Sequence, residues 1–353
     1  MPVVPANPNA FVFFRLPGET GKILMTGRVH QLSGSSILNS GKEGFIMAPF
    51  ADGSPVLWLE AEKTSRLDDE SLSQPGFPIV IPDILPGQNL SITSEEEYKE
   101  QVIKITGLLK VGIAGKVVLS RQIITPFENK ISLTDLFDQL CRSNPRAFVY
   151  LAYFPGIGLW TGATPETLLK YRDKTITTMA LAGTRKVGEN GTWNDKDKEE
   201  HAFVVDYIHE KLEAAGCPEI IKSQPYSINA GQASHLRTDF TAGCDRLKVA
   251  EIVDVLHPTP AVCGWPADKA LEIINSTEKH SRAYYSGYLG PVFRDTVHLF
   301  VNLRCMQLAG EKAIVYAGGG LTALSDPKSE WDETVLKSTT MLSAIEKMQN
   351  LAD

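Results

Sequence analysis

Glu330 and Glu333 stand one helical turn apart in SDPKSEWDETVLK (325–337), with Lys337 one further turn along the same side. Asp197 and Glu200 repeat that spacing in DKDKEEHAFVVD (195–206). Carboxylate pairs of this kind, brought together from two helices, would surround a hard cation. Magnesium fits, because it takes one or two carboxylates, keeps waters and leaves positions for an anionic substrate. The same spacing also describes solvated first turns whose acids complement the helix dipole, and spacing alone does not separate the two readings.

The elements that would carry these pairs are legible. Ser325 and Asp326 can cap a helix whose first turn begins with Pro327. In the helix starting near Asp195, Val204, Val205, Ile208 and Leu212 form an apolar stripe at ~100° per residue. Asp197 and His201 fall inside that stripe and Glu200 lies on its shoulder. A carboxylate facing inward is costly unless something pairs with it. SEEEYKEQVIKITGLLK opens with Ser94 and Glu97 in capping-box spacing, followed by the stripe Tyr98, Val102, Ile105 and Leu109.

Strand-like runs include AFVFF, PVLWLEA, KVVLSRQII, RAFVYLAYF, TITTMALAG, HLFVNLRCMQL and KAIVYAGGG. Several follow one another with no helix-length segment between, which favours antiparallel pairing. Isolated long helices among such runs predict an α+β fold. The Pro/Gly-rich stretch Gln74–Gln88 reads as the connection between an N-terminal part and the rest. KVGENGTWNDKDK is long and polar, a surface loop or a lid.

The 353 residues are 43% hydrophobic and carry a net charge of −7 with both signs interspersed. No basic stripe or basic amphipathic segment points to nucleic acid or a membrane surface. Five scattered cysteines without a Cys-x-x-Cys argue against a disulfide framework or structural zinc. The N-terminal apolar run is short, proline-framed and without a basic leader, and no run of about 18 apolar residues exists to span a bilayer. A reduced, cytoplasmic protein is the expectation. GIAGKVV lacks the residues of a phosphate loop, and neither His-Glu-x-x-His nor Gly-x-Ser-x-Gly occurs. AGGGLTALSD is glycine-rich and leads into a helix start, as a tight turn or as an anion cradle of backbone amides.

Eight stretches taken together resemble the chorismate-utilising enzymes, the isochorismate, salicylate, anthranilate and aminodeoxychorismate synthases. They are GKVVLSR (115–121), GATPETLL (162–169), LAGTRKVG (181–188), KEEHAFVVD (198–206), LHPTPAVCGWP (256–266), EKHSRAYYSGYLG (278–290), VNLRCMQ (301–307) and YAGGGLTALSDPKSEWDETVLK (316–337). They occur in the family's order. HPTPAV and the lysine at 116 are most similar to isochorismate synthase. Two departures stand out: Asp197 sits where relatives commonly carry Glu, and Cys263 where a small residue is usual.

The resemblance implies an α+β chorismate-binding (anthranilate-synthase-like) fold, two largely antiparallel β-sheets packed together and flanked by helices. It implies one domain over 1–353, with a divergent N-terminal part of the sheet core (1–90) and a motif-bearing catalytic part (91–350). The implied substrate is chorismate, the cofactor Mg2+, and nothing demands a partner chain beyond a monomer or weak homodimer. Implied ligands to the metal are Glu200 and Glu333, with Glu330 and Asp197 on its waters. Lys116 is the implied base, Glu166 the acid, and His257 an orienting group near the departing hydroxyl. Thr184, Tyr285, Arg304, Gly318, Gly319 and Lys337 are implied in substrate binding. Glu278 and Arg282, four residues apart, read as a supporting pair. Isochorismate feeds both menaquinone and catechol siderophores. Salicylate synthase, an ammonia-using synthase and a catalytically silent chorismate-binding protein stand as the alternatives.

Overall fold

The computed structural model describes residues 10–51, 53–67, 81–83, 90–128, 131–188 and 192–352. Most of the Gln74–Gln88 connection and residues 189–191 of the polar loop lie outside the described residues. Among the described residues, six α-helices accompany seventeen strands: α1 Glu95–Lys110, α2 Leu133–Ser143, α3 Asp195–Ala214, α4 Val249–Leu256, α5 Ala267–Thr277 and α6 Pro327–Ala352. None is long and apolar enough to cross a membrane.

The fold is α+β with largely antiparallel strands, as expected. The two expected sheets are halves of one continuous hydrogen-bonded network. One half holds strands Phe11–Arg15, Phe148–Phe154, Gly158–Thr164, Cys305–Ala309, Lys312–Leu321 and Lys116–Pro126. The other holds Gly44–Ala48, Tyr288–Val292, Thr296–Val301, Thr167–Arg172, Thr175–Lys186 and Ala233–Gly243. The long pair Lys22–Leu32 and Val56–Leu67 joins them. N-terminal strands therefore pair deep inside the motif-bearing part, Phe11–Arg15 with Phe148–Phe154 and Gly44–Ala48 with Tyr288–Val292.

An aromatic core fills the space between the halves. Phe148 of one half and Phe300 of the other stack with centroids 4.1 Å apart, and Phe14 and Phe45 are fully buried beside them. Burying one such ring contributes roughly 1.5–3 kcal/mol. On one outer face α2 and α6 pack over Phe11, Phe13 and Val149, and on the other α1, α3, α4 and α5 cover Val117, Leu169 and Ala180.

The sequence signals that start the helices act as read. The Ser94 side chain accepts from the Glu97 amide, and Tyr98, Val102, Ile105 and Leu109 are buried. Asn194 caps α3 through the Asp197 amide. Along α3, Asp197, Glu200 and His201 share the buried face with Val204, Ile208 and Leu212. Asp326 caps α6 by accepting from the Ser329 amide, and Pro327 is its first residue. Ser325 instead reaches forward to Glu330.

Candidate active site

The starts of α3 and α6 meet over the end of strand Lys312–Leu321, and glycine makes the meeting possible. A Cβ on Gly319 would lie 3.1 Å from Glu330 Oε2 and 3.5 Å from Glu333 Oε1. One on Gly320 would overlap Glu200 Oε1 and stand 2.9 Å from Lys116 Cε. A side chain at either position would displace the acids, so the glycine run is a close-approach device. Of the four acids expected to converge, Glu200, Glu330 and Glu333 meet here, while Asp197 packs against Gly183.

Strand Lys116–Pro126 runs beside this one, with Leu321 opposite Val117, and so brings Lys116 beneath the same glycines. Lys116 is wholly buried, its Nζ 3.2 Å from Glu200 Oε1 without hydrogen-bond geometry. Burial pulls its pKa below the ordinary lysine value, and the Glu200 charge only partly opposes this.

Glu166 follows the strand Gly158–Thr164 and lines a cavity together with Glu200, Tyr285, Arg304, Gly318 and Lys337. At 3% exposure its carboxyl is pushed up to about 8 by burial, against the pull of Lys116 and Lys337. Thr184 lines the same cavity. Tyr285 stacks on Tyr316 with centroids 5.3 Å apart, which holds its hydroxyl beside Gly318. Gly318 faces the cavity, whereas Gly319 faces Glu330 and Glu333.

Lys337 bridges the two regions. Its Nζ lies 2.6 Å from Glu333 Oε1 and donates to the Gly318 carbonyl at 3.0 Å. Arg304, at φ +47, donates to the Lys337 carbonyl at 3.0 Å. Its other contact is a residue that no sequence pattern marked: Arg304 Nη2 lies 3.2 Å from His235 Nε2. Burial, then the Arg304 and Lys337 charges, push His235 down to about 3, so the ring is neutral. Its Nδ1 donates to the Gly183 carbonyl at 2.9 Å, which leaves Nε2 free to accept from Arg304.

His257 is not brought to this cavity. It ends α4 in extended backbone, and its ring turns away to donate to the Pro49 carbonyl at 3.2 Å and to meet Tyr288 edge-on. It does not line the cavity; His235 does. Glu278 and Arg282 form the expected supporting pair, bonded at 2.9 and 2.5 Å. Glu278 also accepts from the Ser120 amide, and Arg282 donates to the Val118 and Val262 carbonyls, bracing the strand that carries Lys116.

Lys196 was also missed. Its Nζ lies 3.0 Å from Glu200 Oε2 and 3.1 Å from Glu330 Oε1. Burial raises the Glu200 pKa, but Lys196, Lys116 and Lys337 outweigh it and hold the carboxylate ionised. For Glu330 burial wins over Lys196, and its carboxyl is pushed up to about 7. Burial likewise takes Asp197 up to about 6, partly offset by Lys196. Among the described residues no three His, Cys, Asp or Glu side chains form a ready-made metal cluster. The donor chemistry fits a hard divalent ion even so. Three carboxylates reach the glycine strip, and Glu330 Oε2 is buried there without a hydrogen-bond partner.

A buried carboxyl and an arginine on the wall of one cavity, with a fully buried lysine packed against Glu200 of that wall, make a site suited to a small anion. The chain belongs to the chorismate binding enzyme family, which residues 77–346 match. It is 28% identical over 299 residues to the isochorismate synthase MenF of Escherichia coli K12, covering 80% of this chain and 69% of that one. To MenF of Bacillus subtilis it is 27% identical over 306 residues, 82% of this chain and 64% of that one. The fold is shared with a solved structure described as a putative 2,3-dihydroxybenzoate-specific isochorismate synthase, DhbC, of Bacillus anthracis. That likeness has a TM-score of 0.80 at 23% identity and covers 96% of both chains.

Proposed function

We propose that this chain is an isochorismate synthase, converting chorismate to isochorismate by adding water at ring carbon 2 and expelling the carbon 4 hydroxyl. One observation carries the reading: Glu166 on the cavity wall and Lys116, buried against Glu200 of the same wall, are both driven toward their uncharged forms. Neutral Lys116 takes a proton from the attacking water. Protonated Glu166 gives one to the departing hydroxyl as the double bond migrates. The two protons balance, leaving an ammonium and a carboxylate that reset by exchange with solvent.

Arg304 meets the pyruvyl carboxylate, a group suited to two parallel hydrogen bonds from a guanidinium. His235 holds the guanidinium in place, and Tyr285, Thr184 and Gly318 shape the cavity around the substrate. Lys337 adds a point charge for an anionic group. Glu200 and Glu333, with Glu330 and Asp197 acting through water, would hold a magnesium ion, which would supply orientation and charge neutralisation for the ring carboxylate. Relatives of the family also include the anthranilate synthase component 1 of Streptomyces coelicolor, 29% identical over 276 residues. The test is therefore product identity. Purified protein is incubated with chorismate and magnesium, with and without ammonium, and the products are weighed. Isochorismate without pyruvate supports the assignment. Salicylate with pyruvate, an aminated ring or unchanged chorismate overturns it.

A further inference from the structure

The mechanism gives Lys196 no task, yet the residue occupies the centre of the acidic region. Its ammonium bridges α3 to α6, 3.0 Å from Glu200 Oε2 and 3.1 Å from Glu330 Oε1. A divalent ion coordinated by these carboxylates needs their oxygens turned toward it. A like charge in hydrogen-bond contact with the same oxygens opposes that strongly in a site of low polarity.

The three lysines around the acids are not equivalent. Lys116 is fully enclosed. Lys337 is tied to the Gly318 carbonyl. Lys196 alone of the three also lines a cleft on the outer side, whose wall includes Asp326, Asp332 and Glu333. Arg185 and Lys186 line it too, and at its exposed mouth Asp326 accepts from Ser329 while Asp332 pairs with Lys328, so the cleft offers the ammonium solvent beside two carboxylates that already have partners. Lysine's flexible four-carbon stem permits such a swing without moving the helix.

We propose that Lys196 is a displaceable internal cation, pinning the starts of α3 and α6 together through Glu200 and Glu330 and withdrawing into the outer cleft when a divalent ion takes those carboxylates. The proposal rests on the reading that Glu200 and Glu333 hold the metal, with Glu330 acting through its waters. It makes Lys196 a positioning residue that sets metal affinity.

The experiment uses Mn2+ as the probe, on metal-stripped full-length protein without chorismate, with free Mn2+ read by electron paramagnetic resonance. Lys196→Met is expected to bind Mn2+ at least about tenfold more tightly than the unaltered protein, because the competing charge is gone. Without metal its melting temperature is expected to fall, and to rise more on metal addition than that of the unaltered protein. A second measurement needs no variant. Acetylation of Lys196 in the unaltered protein, mapped by mass spectrometry against the exposed Lys328, is expected to quicken when Mn2+ is added. Equal or weaker Mn2+ binding by Lys196→Met overturns the proposal and leaves the metal reading intact. Should that variant fail to fold, acetylation that is unchanged or slowed by Mn2+ overturns it. No Mn2+ binding by either protein overturns the metal reading and the proposal with it.

Discussion

Lys116 Nζ lies 3.2 Å from Glu200 Oε1, so the base assigned to water activation touches a carboxylate assigned to the metal. The contact lacks hydrogen-bond geometry and both side chains are almost fully enclosed. The Glu200 charge partly restores the basicity that burial removes. Drawing that charge toward a divalent ion favours the uncharged amine, which couples the two sites.

Lys116→Ala is accordingly expected to lower turnover by at least about 100-fold, the usual scale of a lost general base. Chorismate affinity is expected to stay within a few-fold, because Arg304 and Lys337 remain. Glu200 keeps Lys196 as a partner, so the variant should fold. Turnover and equilibrium binding measured side by side decide the matter. Near-normal turnover removes Lys116 from the base role.

Glu166 makes a separate prediction about pH. Its carboxyl is held at about 8 in the fold, above the ordinary value of 4.5, by burial. Between those two values the folded state retains a proton that the unfolded chain releases. Stability is thus penalised progressively as pH rises through the window. Glu166→Gln removes the penalty, so its stability relative to the unaltered protein should climb with pH by up to about 1.4 kcal/mol per unit. Turnover should be largely lost throughout. Urea melts of the two metal-free proteins at several pH values between 5 and 8 test this; parallel curves would sink it.

Much of this site was legible because burial and charge conflict in the sequence itself. Asp197 and Glu200 sit on an apolar helix face, and that conflict correctly marked an inward-looking acidic pair. What stayed hidden depends on pairing between distant segments. His235 lies where the register of strand Ala233–Gly243 against Thr175–Lys186 breaks between Ser234 and Leu236. A bulge of that kind re-aims a side chain, and nothing in the local sequence announces it. Lys196 reads as an ordinary i,i+4 partner of Glu200, and only the arrival of α6 shows that it also holds Glu330. The placing of His257 was hidden because its motif fixes the chain position while the Pro49 carbonyl, 208 residues away, decides where the ring points.

Glu333 is ion-paired to Lys337 at 2.6 Å and stands beside Gly319. If it is a metal ligand, Glu333→Gln should raise the magnesium concentration for half-maximal activity by at least about tenfold, with a parallel loss of maximal rate. Lys337 keeps the Gly318 carbonyl, so a folding defect should be small. A magnesium titration of activity is the measurement, and an unchanged midpoint would exclude Glu333 from the metal site.

The two histidines give the last prediction, since only His235 lines the cavity. His257 is pushed down to about 4 by burial and is neutral at pH 7, bonded to a carbonyl outside the cavity. His257→Asn should keep the turnover number within about threefold while costing about 1–2 kcal/mol of stability, the scale of a lost buried hydrogen bond. His235 supports Arg304, whose guanidinium is wanted at a substrate carboxylate. His235→Leu should therefore raise KM for chorismate by about tenfold or more, with a smaller effect on the turnover number. His235→Asn, which can still accept a hydrogen bond, should recover part of the loss. Steady-state kinetics on the three variants separate the roles: a folded His257→Asn with abolished turnover would return that residue to the chemistry, and a His235→Leu that changes neither constant would deny His235 its part.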